Sequence, residues 1–237
     1  MKKNIILITL FLLANYAKAQ TQEAFFSESN EFFKNNVSVD GKINYNSLKK
    51  SPGELYYIVG NVAKLKVDTN NKDIQIAFWI NAYNLLVIKN VIDNFPVKSV
   101  NFVTNFFDTK FFIANTEVTL NEIELKLNDL LKDASIHFVL AKGTNGGSIL
   151  LNSAYLPETI SYQMSLKVKS TLNKPGFIKI NKDSNSIELP TFFQTYKKDF
   201  VTMYFNEIDF LNVFFENKID NKMKITYNKP DGTLNEK

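Results

Sequence analysis

The chain has 237 residues, 45% of them hydrophobic, with 21 phenylalanines, one histidine and no cysteine. That content excludes a disordered chain, and zero cysteine excludes disulfides, thiol nucleophiles and thiolate metal sites. The 28 basic residues are all lysine and face 24 acidic ones, for a net charge of +4. Without guanidinium forks or a strong basic excess, nothing points to nucleic acid.

The first residues, MKKNIILITLFLLANYAKAQ, read as a signal peptide. Lys2 and Lys3 form the charged start, Ile5 to Leu13 the apolar run, and Ala17-Lys18-Ala19 the small-x-small site, with cleavage expected before Gln20. The apolar run is too short to span a bilayer. The expectation is an exported protein, periplasmic or extracellular, with no membrane span after cleavage and one domain over residues 20–237. Loss of Lys2, Lys3 and Lys18 leaves 25 basic against 24 acidic residues.

Along the chain, residues 22–35 place Phe25, Phe32 and Phe33 near one helical face. Asp40-Gly41 signals a hairpin turn. Ser51-Pro52 reads as a cap and first position of a helix running to about Lys66. Residues 73–95 are apolar nearly all round, which predicts a central buried helix stopped by Pro96. Asn81 and Asn84 lie three apart on it, so they either fix a neighbouring backbone or line a site. Thr119-Leu-Asn-Glu122 is a capping box before a helix to about Leu131. Glu124 falls within that helix's apolar stripe, where a carboxylate snorkels or meets a partner.

Residues 136–141 alternate and predict a strand, with Ile136, Phe138 and Leu140 on one face and His137, Val139 and Ala141 on the other. The helix of Glu124 is expected to pack beside it and bring Glu124 to His137. Pro157-Glu158 opens a helix to about Leu172. Residues 177–180 and 186–189 flank a hairpin, residues 191–217 give two short aromatic helices, and 225–227 a last strand. Helices and strands do not alternate regularly, so the class is α+β: a central buried helix, a small mixed or antiparallel sheet and surrounding helices.

Several blocks, in order, resemble the domain-of-unknown-function 547 family. AFWINAYNLLVIKNVIDNFPVKSV is similar to its FWIN-x-YN helix followed by YPVKSI, and TLNEIELKL to its SL-x-x-IEH segment. SIHFVLAKGTNGG stands at its RIHFAL-x-C-x-x-x-x-C-P position, and IELPTFFQTYKKDF at its L-S-x-x-F-x-x-Y-x-x-DF block. ITYNKPDGTLN resembles its YDWSLN ending. The resemblance spans about residues 35–235. It puts the family glutamate on Glu124, the histidine on His137 and the signature amides on Asn81 and Asn84.

The family's other reactive positions differ: its second histidine is Leu125 here, its arginine Ser135, its cysteines Lys142 and Gly147, and its proline Ser148. Thiolate chemistry needs a thiolate, so the expectation is a catalytically silent member that binds a small molecule or an envelope protein. His137 and Glu124 are the candidate catalytic or vestigial pair; Asn81, Asn84, Lys142, Asn145 and Ser148 are candidate binding residues. No cofactor or metal is expected. The alternative is a cell-envelope hydrolase using His137 with Ser148 or Thr144. The loop GTNGGS lacks P-loop spacing. Gly147 is expected to need a positive φ.

Overall fold

The computed structural model describes residues 21–215 and 218–237; the expected signal peptide, residues 1–19, lies outside them. Helix α1, Gln22–Asn36, starts where the Thr21 hydroxyl accepts from the Ala24 N–H. It buries Phe25, Phe26, Phe32 and Phe33. The Asp40-Gly41 turn follows, closed by a bridge between Val37 and Ile43, with Gly41 at φ +78°. Helices α2 (Tyr45–Lys50) and α3 (Gly53–Val62) come next. Pro52, not Ser51, occupies the N-cap of α3, and no side chain caps it. The helix also stops four residues earlier than expected, at Val62.

Helix α4, Lys72–Asp93, is the centre of the molecule, with 16 of its 22 residues buried. Asn71 caps it by accepting from the Asp73 and Ile74 N–H groups. Each large apolar side chain so buried contributes about 1.5–3 kcal/mol, which is why this face-less helix lies inside. Among the described residues, no helix is long and apolar enough to cross a membrane. A two-stranded antiparallel ribbon follows, β1 (Phe111–Ile113) with β2 (Thr116–Val118). It leads into α5, Leu120–Leu131, whose capping box forms with both reciprocal bonds.

The expected strand at 136–141 is instead a single helical turn, α6, Ile136–Val139. The reason lies in two hydrophobic cores. Ile136, Val139 and Leu140 face the core around α4, while Ala134 and Phe138 face a second, aromatic core. Those spacings of three and four are helical. A segment buried on all sides carries no clean alternation, so six apolar-looking residues cannot distinguish the two periods.

Pro157–Thr159 forms a 3-10 turn leading into α7, Ile160–Leu172. The expected hairpin is present as β3 (Lys179–Asn181) and β4 (Ser186–Leu189). Where two aromatic helices were expected there are three: α8 (Thr191–Thr195), α9 (Lys197–Tyr204) and α10 (Glu207–Phe214). Phe205, at φ 61°, breaks the run between the last two. Strand β5, Lys224–Tyr227, pairs parallel to β4, so the second sheet is mixed, in order β3-β4-β5. The fold is α+β, helices packed around α4 with two small sheets.

Candidate functional site

The site forms where α4, α5, α6 and the segment after it converge with α8 and α9. Lys142 leaves α6 through the turn at Leu140 and projects towards α4 and α5. Its Nζ donates to Glu124 Oε2 at 2.5 Å and to Tyr83 Oη at 3.0 Å. The ammonium also lies 5.3, 5.4 and 5.7 Å from the ring centroids of Tyr83, Phe107 and Tyr196, within cation–π range. The side chains of Lys142 and Glu124 are 21% and 14% exposed, so this pair is largely shielded from water.

Glu124 therefore meets partners rather than snorkelling. Its Oε1 stands 3.7 Å from His137 Nδ1, too far apart for a hydrogen bond. Burial pushes the Glu124 carboxyl up, but His137 and the Lys142 ammonium outweigh it and hold its pKa at about 2. His137 is buried, and its Nε2 lies 2.8 Å from Asp199 Oδ2. An ionised carboxylate only accepts, so Nε2 carries the proton in that contact. The imidazole is stacked on Tyr196 at 3.6 Å between ring centroids. Tyr196, pushed up to about 12 mainly by burial, thus separates His137 from the cleft beyond.

That cleft has a volume of about 350 Å³, within the range of small-molecule sites. Glu124, Lys142, Phe107, Phe192 and Tyr196 line it, with Thr144 and Asp231 at its polar edge.

The other candidate residues serve the backbone. Asn81 donates to the Tyr155 carbonyl and accepts from the Tyr155 N–H, at 2.7 and 2.9 Å. Asn84 does the same across the turn after α6, donating to the Val139 carbonyl and accepting from the Ala141 N–H, at 3.0 and 2.9 Å. Both amides, in effect, hold loops onto the central helix. Asn145 donates through Nδ2 to Thr233 Oγ1 and the Leu234 carbonyl.

The glycine loop grips the C-terminal segment: the N–H groups of Asn145 and Gly146 donate to the carbonyls of Thr233 and Asp231. A Cβ on Gly146 would stand 2.6 Å from Asp231 N, so this close approach requires glycine. Loop donors spent this way do not make an anion cradle. The positive φ belongs to Gly143, at +73°, and not to Gly147. Ser148, 8% exposed, donates its hydroxyl to the Phe138 carbonyl. Among the described residues no hydrogen bond joins Ser148 or Thr144 to His137.

Three residues of the site were missed from sequence: Tyr83, Tyr196 and Asp199. Each lies inside a block of the family resemblance, Tyr83 between Asn81 and Asn84, and Tyr196 and Asp199 in FFQTYKKDF. Spacing along the chain gave no reason to bring the last two to His137.

Comparison with known families supports the resemblance over part of the chain. Residues 67–170 match the family described as "Protein of unknown function, DUF547". The matched DUF547 segment runs from just before α4 through most of α7, and so contains Asn81, Tyr83, Asn84, Glu124, His137 and Lys142. It ends before Tyr196 and Asp199, and the chain has no cysteine at all. The sequence resemblance over residues 35–66 and 171–235 lies outside the match. No curated protein and no solved structure matched the chain.

Proposed function

We propose that the protein is an exported, catalytically silent DUF547 member whose cleft at Lys142 binds a small neutral polar molecule. The observation that carries this reading is the Lys142–Glu124 pair at 2.5 Å beneath that cleft. A lysine already matched by a carboxylate offers no net charge to an anion. Phe107, Phe192 and Tyr196 offer faces for an apolar side, and Thr144 a hydroxyl for hydrogen bonding. That combination suits a hydroxyl-rich ligand such as a monosaccharide.

The surroundings of His137 support the silent reading. A general base needs a nitrogen within reach of its nucleophile. Here Nε2 is committed to Asp199, Nδ1 faces Glu124, and the Ser148 hydroxyl is held by Phe138. Export rests on the composition of residues 2–19.

The protein is expected to leave p-nitrophenyl acetate unhydrolysed and a fluorophosphonate probe unattached. Labelling of wild type that disappears in Ser148→Ala and His137→Ala would overturn the silent reading. Ligand-observed NMR against neutral monosaccharides should show binding that Lys142→Ala removes; a silent panel would sink the ligand class. Intact mass of the natively expressed protein should begin at Gln20, and retention of residues 1–19 would refute export.

A further inference from the structure

A larger cleft, about 570 Å³ in volume, lies away from Lys142, between the turn before Gly41, the segment 149–152 and the C-terminal half of α7. Its walls are Val39, Ile149, Leu150 and Leu151, and its floor carries Lys167 and Thr171. Lys167 is 5% exposed and Thr171 3%. Among the described residues no hydrogen bond or ion pair engages the Lys167 ammonium, which reaches the cleft from a buried side chain, and the Thr171 hydroxyl is buried without a partner. An ammonium that gives up most of its water without gaining a counter-charge is costly. It is normally found only where a partner exists.

The remaining charges at this cleft do not supply one. Lys174 lines the mouth and adds a second positive charge. Asp40 is on the facing wall, where its carboxylate accepts from Ser38 Oγ at 2.5 Å. The wall itself is rigidly placed. Gly41 sits at φ +78°, and a Cβ there would be 2.1 Å from Ile149 Cγ2 and 2.9 Å from the Leu150 carbonyl oxygen. The turn thus docks on the 149–150 segment only with glycine, which sets the width between Val39 and Leu151.

We propose that this cleft binds an organic carboxylate with an apolar body. The carboxylate would accept from Lys167 Nζ and Thr171 Oγ1, and the body would lie along Val39, Ile149, Leu150 and Leu151. The two floor donors are one helical turn apart on α7 and so point the same way. A carboxylate with two oxygens matches them, and the aliphatic walls select against a small inorganic anion. Burial and the nearby Lys174 hold the Lys167 pKa down at about 8, as expected for an ammonium lacking its counter-charge.

Calorimetric titration with octanoate tests this on the mature chain. Saturable binding is expected for wild type, with octanol and inorganic phosphate silent. Lys167→Met keeps the aliphatic stem and removes the charge; it should weaken octanoate binding by about tenfold or more, the loss of one charge-assisted hydrogen bond. Thr171→Val should weaken it by about threefold to tenfold, and remains informative if Lys167→Met fails to fold by far-ultraviolet circular dichroism. Silent octanoate, equal affinity in both variants, or phosphate binding in its place would overturn the assignment.

Discussion

Lys167→Met should raise stability even with no ligand present. The folded chain holds this amine near 8 against 10.5 when free. A lysine depressed in the fold destabilises below its folded pKa, and the penalty is relieved as pH rises from 8 towards 10.5, where only the unfolded chain still holds the proton. The gap corresponds to roughly 3 kcal/mol. Buried Tyr83 and Tyr155, both pushed up by burial, act oppositely above about pH 10, because the unfolded chain then loses phenolic protons first. Wild-type thermal stability should therefore climb between pH 8 and 10 and that of Lys167→Met stay flatter; parallel profiles would refute the unpaired lysine. Glu124 has the reverse sign. Held at about 2 against 4.5, it stabilises fully above pH 4.5, and this is lost as pH falls through 2. Glu124→Gln strands the Lys142 ammonium and should cost roughly 2–3 kcal/mol in urea unfolding, less than a fully buried pair because Lys142 keeps some water. A change under half of that would show the pair to be solvent-screened.

Helix α4 was legible from end to end because its composition leaves one answer, and the α5 capping box because its two bonds are local. The α6 turn was not, because its direction is set by two cores that draw on residues far along the chain, Phe193 and Phe200 among them. The same distance explains the site. Glu124, His137 and Lys142 stand within 18 positions and were named together, whereas Tyr196 and Asp199 arrive through the second core. The loop that follows α6 offers a test of its geometry. A Cβ built on Gly147 stands 3.2 Å from Lys142 Cβ, just under the 3.5–4.5 Å span of disulfide-linked Cβ pairs. A double variant, Lys142→Cys with Gly147→Cys, should oxidise to an intramolecular disulfide after a shift of a few tenths of an ångström. Intact mass showing loss of two hydrogens would establish it. Two thiols still reactive towards a chromogenic disulfide under oxidising conditions would mean that the loop is wider than described. These are the two positions where the resembled family carries cysteine, so their juxtaposition bears on what such a pair does there.

The whole molecule is closed by its C-terminal segment. Leu234, 4% exposed, enters the core around α4, and its N–H donates to the Lys98 carbonyl. On one side Asn145 N–H donates to the Thr233 carbonyl; on the other Ile43 N–H donates to the Asn235 carbonyl and Lys237 N–H to the Ile43 carbonyl. The Asn235 side chain adds an acceptor for the Tyr45 hydroxyl at 2.8 Å and a donor to the Gly41 carbonyl at 3.2 Å. The segment therefore ties the turn at Gly41, which walls the Lys167 cleft, to the glycine loop, which edges the Lys142 cleft. At about 1 kcal/mol net per hydrogen bond, plus the burial of one leucine, the tie contributes several kcal/mol. Leu234→Ala should cost roughly 2–5 kcal/mol. Removal of residues 231–237 should cost more and expose residues 143–147 to limited proteolysis. Because the strap touches both cleft margins, the truncation should also weaken octanoate binding even though it leaves Lys167 and Thr171 in place. A truncated chain that binds octanoate as wild type does, with an unchanged melting temperature, would show that the two margins stand without the strap.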